Sequence, residues 1–219
     1  MKKWIILAVS AGALALAGSG AAALAPSTFL GPGVTCPVVS TFSNGVLHLE
    51  KNCSTPTNAS AGATITGAGG QAFSSASFTL ANAAQCQGGS PRFNVVTTNG
   101  TTSTTFFLGC NNVTPTTNAD GSVTYTFTAA TIAAAGNQVP VPTGTITGVE
   151  VLIDVQGTAD LSNITFNGQA QVPAAAKNQC KKGGWRSFTN PSFKNQGRCV
   201  SWFNHHDGRG ADDTHAHSH

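Results

Sequence analysis

Glu150 and Asp154 stand four residues apart in Val149-Glu150-Val151-Leu152-Ile153-Asp154-Val155. The apolar residues alternate, so the stretch reads as a strand with Val149, Val151, Ile153 and Val155 inward and both acids on the other side. Paired carboxylates on one face suit general acid–base chemistry, and glycoside hydrolysis depends on such pairs. Few other ionisable groups surround them, and the competing reading is two solvated charges on the wet face of a strand. His48 is the one histidine before residue 205, and it alternates with apolar residues in Val46-Leu47-His48-Leu49-Glu50. No G-x-S-x-G elbow offers it a nucleophile, and it reads as a surface histidine on a strand. Near the C-terminus His215, His217 and His219 alternate, with Asp212 and Asp213 close by. Imidazoles in such a segment chelate zinc, nickel or copper weakly. Nothing preorganises them, and a solubilising tail is the preferred reading. No residue is assigned a catalytic role, the chain reads as non-enzymatic, and no cofactor is implied.

A different kind of chemistry is available in Cys180-Lys181-Lys182-Gly183-Gly184-Trp185-Arg186 through Phe193-Lys194-Asn195-Gln196-Gly197-Arg198-Cys199-Val200-Ser201-Trp202-Phe203. Lys181, Lys182, Trp185, Arg186, Lys194, Arg198 and Trp202 are the ligand-contact candidates. Clustered cations gain affinity for a polyanion by releasing counterions, and exposed tryptophans stack on flat ligand faces. The expected partner is an anionic polymer or an extracellular polysaccharide, and nucleic acid is not expected. Gly183-Gly184, Asn190-Pro191 and Gly197 mark tight turns, so the bracketed segment is expected to be a disulfide-stapled hairpin. In the rival reading its aromatics pack a clasp and its cations only solvate it.

The charge distribution sharpens that contrast. Between Ser27 and Pro173 the charged residues are Glu50, Lys51, Arg92, Asp120, Glu150, Asp154 and Asp160, a slightly acidic set. From Lys177 onward basic residues dominate, and the whole chain carries a formal net charge of +3. Solubility of the body must come from Thr, Ser and Asn, which suits the wet faces of β-strands.

The start of the chain sets the compartment. Lys2 and Lys3 precede an apolar run, and small residues follow to Ala25. This is the pattern of a signal peptide over residues 1–25, in a style suited to bacterial export. Ala23-Leu24-Ala25 fits an A-x-A cleavage site, and cleavage after Ala21, Ala22 or Ala23 fits as well. The apolar run is short for a membrane span, and no other run is longer, so no span is expected once the leader is removed. In an exported chain the six cysteines are expected as disulfides. The shortest loops pair Cys36 with Cys53, Cys86 with Cys110, and Cys180 with Cys199. No CxxC-like spacing suggests a metal instead.

The elements that position these residues are strands. Val123-Thr124-Tyr125-Thr126-Phe127-Thr128 alternates without a fault after the turn dipeptide Asp120-Gly121. Hairpins are expected around Asn44-Gly45 and Asn99-Gly100, with Val38–Phe42, Val46–Leu49, Phe93–Thr97 and Thr104–Leu108 as arms. Ala76–Leu80 and Ile164–Phe166 add two more strands. The helix-like patch is Ala129–Ala135, ended by Gly136. The expected fold is an all-β antiparallel sandwich of jelly-roll type over residues 27–173. A basic Cys-bracketed appendage follows over 174–203, then a disordered His-rich tail over 204–219.

The residues from Asn178 to Trp185 and from Phe193 to Ser201 resemble a C-terminal motif of many secreted bacterial proteins, common in actinobacteria, of the form D-Q-C-K-x-G-G-W … F-K-N-Q-G-x-C-V-S. Asn178 stands where that motif has Asp. The resemblance implies secretion and no particular activity. The body is similar, more distantly, to jelly-roll domains of secreted proteins and carbohydrate-binding modules. Its Leu161-Ser162-Asn163-Ile164-Thr165-Phe166-Asn167-Gly168 stands where an L-D-N-I-x-x-N-G element is frequent, with Ser162 in place of Asp. Together these features point to a secreted, non-catalytic binding or structural protein outside the cell or at its envelope, with polysaccharide as ligand. The alternatives are a carbohydrate-active hydrolase built on Glu150 or Asp154, and a self-assembling matrix or coat protein. Glycan-binding faces usually expose Trp or Tyr; the body offers Tyr125 and no tryptophan, which counts against the glycan reading.

Overall fold

The structure is a computed structural model that describes residues 23–43, 45–136, 139–173, 180, 185 and 193–205. Thirteen strands form two sheets. The first sheet is assembled from β1 (Ala23–Leu30), β4 (Ala59–Thr66), β6 (Arg92–Asn99), β7 (Thr102–Gly109), β10 (Thr145–Ile153) and β13 (Val172–Pro173), in the order β13-β1-β4-β10-β6-β7. The second contains β2 (Val38–Ser43), β3 (Val46–Lys51), β5 (Ala76–Leu80), β8 (Thr116–Thr117), β9 (Val123–Phe127) and β11 (Gly157–Phe166), in the order β2-β3-β11-β5-β9-β8, with β12 (Gln169–Ala170) folded back on β11. Every pairing is antiparallel except β1 with β13.

Strict alternation explains why the sheets pack face to face. In β6, Phe93, Val95 and Thr97 are buried, and in β9, Val123, Tyr125 and Phe127 are buried. The intervening Asn94, Thr98, Thr124 and Thr126 are part-exposed or exposed. Phe93 of the first sheet stacks edge-on against Phe127 of the second at 5.9 Å and lies 5.5 Å from Phe78. These rings fill the centre of one core shared by both sheets. Offset and edge-on pairs of this kind add about 1 kcal/mol each beyond area burial.

The first sheet draws its central strands close by using small residues. The buried positions Ala59, Ala61, Gly62 and Ala63 of β4 lie between β1 and β10. A Cβ on Gly62 would come within 2.6 Å of the Leu152 Cβ and the Val151 carbonyl, so no other residue fits that crossing. Low strand propensity hides β4 from the sequence; burial between two neighbours holds it in place.

A short helix α1 (Ala129–Ala134) closes one end of the sandwich. Thr128 and Thr131 cap it reciprocally, with the Thr131 N–H donating to Thr128 Oγ1 at 3.1 Å, and Ile132 enters the core. Three disulfides join Cys36 to Cys53, Cys86 to Cys110, and Cys180 to Cys199. The first fastens the β1–β2 connection to the end of β3. The second links the turn after β5 to the end of β7, and so one sheet to the other.

Two expectations change. The Cys-bracketed segment is not a stapled hairpin throughout, because Gln196–His205 is a helix, α2. Asn195 starts it: the Arg198 N–H donates to Asn195 Oδ1 at 2.9 Å, the standard N-cap bond. Cys199 lies in its first turns and carries the disulfide to Cys180, and both cysteines are fully buried. The helix also runs past residue 203, to His205. At the other end, Ala23–Ala25, which the sequence assigns to the leader, open β1. Leu24 is fully buried in the core. The first sheet therefore begins inside the expected leader.

Candidate functional site

Among the described residues three groups of partnered polar side chains include cationic or imidazole residues: one on each outer face and one between the sheets at their end. On the outer face of the first sheet a row crosses four strands. Thr64 of β4 faces Glu150 of β10, Glu150 faces Asn94 of β6, and Asn94 faces Phe107 of β7. Directly opposed residues in such a row lie about 5 Å apart. The Phe107 ring is 52% exposed. Phe106 and Phe107 are consecutive, so one of them has to face outward, and it is Phe107. Arg92 lies along the same face with its guanidinium 5.3 Å from the Phe107 ring centroid. It is held there twice. Its Nε donates to Asn94 Oδ1 at 2.9 Å and its Nη1 to Asp154 Oδ1 at 2.6 Å. Burial pushes the Asp154 carboxyl up, but hydrogen bonding and charge from Arg92, with help from Ser90, outweigh it and hold the group below its ordinary value. The result is an exposed aromatic ring with fixed hydrogen-bonding groups beside it.

The anticipated Glu150–Asp154 pair therefore resolves into two different roles. Glu150 is exposed, and among the described residues it enters no ion pair. Asp154 lies just beyond the end of β10, engaged by Arg92. His48 is on the opposite outer face of the sandwich, away from both.

That second face carries its own cluster. His48 of β3 faces Asp160 of β11 and Thr41 of β2. His48 Nδ1 lies 2.7 Å from Asp160 Oδ1, and His48 Nε2 lies 3.9 Å from Glu50 Oε2. A carboxylate only accepts, so the Nδ1–H donates. Gln85 holds Asp160 from behind: its Nε2 donates to Asp160 Oδ2 at 3.2 Å, and its Oε1 accepts from the Asp160 N–H. Among the described residues no three His, Cys, Asp or Glu side chains gather as a metal-ligand group.

Between the sheets at their end lies a buried cation. Lys51 is 1% exposed. Its Nζ donates to the carbonyls of Thr55 at 2.9 Å, Thr57 at 2.7 Å and Asp154 at 2.7 Å. All three ammonium protons are thus satisfied by backbone, and the loop after β3 is bound to the end of β10. The role is architectural.

The element Leu161–Gly168 is also architectural. Asn163 and Asn167 both take the left-handed conformation, with φ of 48°, which Asn tolerates better than most residues. The Asn167 Oδ1 accepts from the Ser74 N–H at 2.8 Å, and its Nδ2 donates to the Ala72 carbonyl at 2.8 Å. The motif pins the loop before β5 to the β11–β12 turn.

The sequence-derived contact residues divide. Trp185 is half-buried, Lys194 and Arg198 are exposed, and Trp202 falls in α2. Lys181, Lys182 and Arg186, like His215, His217 and His219, lie outside the described residues. Tyr125 does not serve as a surface platform, because it is buried against Phe78, 5.4 Å between ring centroids. Among the described residues no helix is long and apolar enough to cross a membrane. In comparisons with known proteins, no family model, no curated protein and no solved structure matches this chain.

Proposed function

We propose that this is a secreted, non-catalytic protein that binds polysaccharide outside the cell or at its envelope, through the Phe107 face of the first sheet. One observation carries the reading: an exposed phenylalanine ring with Arg92 and Asn94 beside it and Glu150 next in the same row across the outer sheet face. Sugar rings present an apolar face of C–H groups and an equatorial rim of hydroxyls. The ring of Phe107 matches the first, and the amide, guanidinium and carboxylate match the second. Arginine and aromatic residues are the side chains that dominate contact surfaces generally. Asp154 keeps Arg92 in place, so little side-chain entropy remains to be lost on binding.

A jelly-roll assignment belongs to this reading. Taking β3, β4, β5, β6, β7, β9, β10 and β11 as a to h, the strand orders are a-h-c-f and b-g-d-e, the double Greek-key order of that fold. Secretion draws support from the leader pattern, from the three disulfides, and from the resemblance of the Cys180–Ser201 region to secreted bacterial proteins. In this reading the basic residues Lys181, Lys182, Arg186, Lys194 and Arg198 add a sequence-remote attraction to anionic wall polymers, which the slightly acidic body would otherwise repel.

The test is co-sedimentation of the mature protein with purified cell wall and with neutral insoluble polysaccharides over a salt series. Retention on neutral polysaccharide is expected to persist at high salt. Retention on anionic wall is expected to fall as salt rises, and to fall at low salt when Lys181, Lys182, Arg186 and Lys194 are replaced by Gln. No retention on any polysaccharide removes the proposal.

A second reading has its own observation. β1, β2, β7 and β8 are the outlying strands of the two sheets, and none carries a charged residue. Phe29 and Leu30 at the end of β1 are 52% and 46% exposed. Charged edges normally prevent sheet-to-sheet association. A matrix or coat protein that assembles by edge pairing would leave them uncharged, and analytical ultracentrifugation without ligand distinguishes the two.

A further inference from the structure

We propose that His48 and Glu50 form a binding site for a divalent transition-metal ion of the zinc, copper and nickel group, with Asp160 orienting the imidazole. The two residues stand at alternate positions of β3 and so project to the same side of it. The Nδ1–H of His48 is committed to Asp160 Oδ1 at 2.7 Å. That bond sets the plane of the ring and, in the neutral imidazole, selects the tautomer whose Nε2 carries the lone pair. Nε2 then faces Glu50 Oε2 at 3.9 Å. In the neutral ring that carries its proton on Nδ1, both facing atoms are electron-pair donors, and the distance is too long for a hydrogen bond. A cation that accepts from both resolves the arrangement. Zinc bonds to nitrogen and oxygen at roughly 2.0–2.1 Å, so two such bonds at a tetrahedral angle span roughly 3.3 Å. A swing of about half an ångström by the Glu50 side chain, which is 34% exposed, closes the gap.

The supporting residues match what a metal-bound histidine requires. A ligating imidazole ordinarily donates its other N–H to a carboxylate, which raises its basicity and holds its orientation. Asp160 is that carboxylate, and it is itself fixed by Gln85 through Oδ2 and through its own backbone N–H. Gln85 immediately precedes Cys86, whose disulfide to Cys110 anchors the turn. An imidazole nitrogen beside a single carboxylate suits zinc, copper or nickel, whereas calcium and magnesium prefer all-oxygen sites. Two protein ligands leave further positions to water or to an oxygen of a bound molecule, so the affinity is modest. The charge-poor body has one histidine and seven charged residues, and it places three of these groups here.

The chain has six histidines. Replacing His205, His206, His215, His217 and His219 with Asn in the full chain leaves His48 as the only imidazole. Titrating that protein with zinc chloride while following the His48 Cε1–H resonance by NMR, at about pH 8, reads the site directly. The expected result is a saturable shift at one zinc per chain, absent with magnesium. Glu50→Gln is expected to weaken zinc binding at least tenfold, and Asp160→Asn by about ten- to a hundredfold, with unchanged far-UV circular dichroism in both. The proposal is overturned if the resonance does not shift saturably, or if Glu50→Gln binds zinc as tightly as its parent.

Discussion

At the level of single residues, several of the body's few charges have a definite structural partner. Lys51 is the clearest case, an ammonium with three carbonyl partners in an otherwise apolar interior. Lys51→Met keeps the apolar stem but strands those carbonyls away from water. The expected cost is about 3 kcal/mol, measured as a shift in the urea unfolding midpoint. A midpoint within error of the parent would show that the loop after β3 does not need the ammonium. Asp154 makes a pH-dependent contribution. Its folded pKa is depressed, so its stabilisation is present above the ordinary carboxylate value and is lost as pH falls through the lowered one. Asp154→Asn is therefore expected to be less stable than the parent near pH 7, with the difference vanishing in acid once the pH has fallen below the lowered value. Because Asp154 is 37% exposed, solvent screening holds the effect to about 1 kcal/mol or less. A difference that grows in acid would reverse the assignment. Much at this scale was hidden from the sequence. Glu150 and Asp154 look alike four residues apart, and only Arg92, far away along the chain, separates their roles. The His48–Asp160 pair joins residues 112 apart, and no local pattern could reveal it.

At the level of elements, legibility followed side-chain size. β5 and β9 alternate apolar residues with Thr or Ser, β2, β3, β6 and β7 carry large apolar residues, and the Asn-Gly and Asp-Gly turns mark hairpins. β4 and the first half of β11 are built from Ala, Gly, Thr and Asp, and their strand character comes from neighbours on both sides. The alternation around Val149 correctly gives β10, although the strand stops at Ile153, before Val155. β1 was masked by composition, since the small residues of a cleavage zone and of a tightly packed strand are the same residues. That overlap has a consequence. Ala23 and Leu24 pair with Thr66 and Ile65 on one side and with Val172 and Pro173 on the other. Cleavage after Ala25 would remove Leu24 from the core, a loss on the order of 3 kcal/mol. The mature protein is therefore expected to begin at or before Ala23, which N-terminal sequencing of the secreted chain reads directly. A mature start at Pro26 would contradict the place of β1 in the first sheet. For α2 the signal was present in Asn195 as cap and in Cys199, Val200 and Phe203 at helical spacing. The glycines and the Asn-Pro of the same segment drew the reading toward a hairpin.

For the molecule as a whole, the architecture divides labour between faces. The aromatic core and three disulfides provide stability, and the outer faces are freed for polar chemistry: Phe107 with Arg92 on one side, His48 with Asp160 on the other. The polysaccharide reading depends on the first of these faces. Its single exposed ring makes the claim sharp, because Phe107 is not part of the core and its removal should leave the fold intact. The decisive measurement is isothermal titration of a soluble polysaccharide, chosen by co-sedimentation, into the parent and into Phe107→Ala, with the melting temperature of each recorded alongside. The account predicts that Phe107→Ala melts within about 2 °C of the parent, a surface-substitution effect of about 0.5 kcal/mol or less, and loses at least tenfold in affinity. Equal affinity in the two proteins would contradict it.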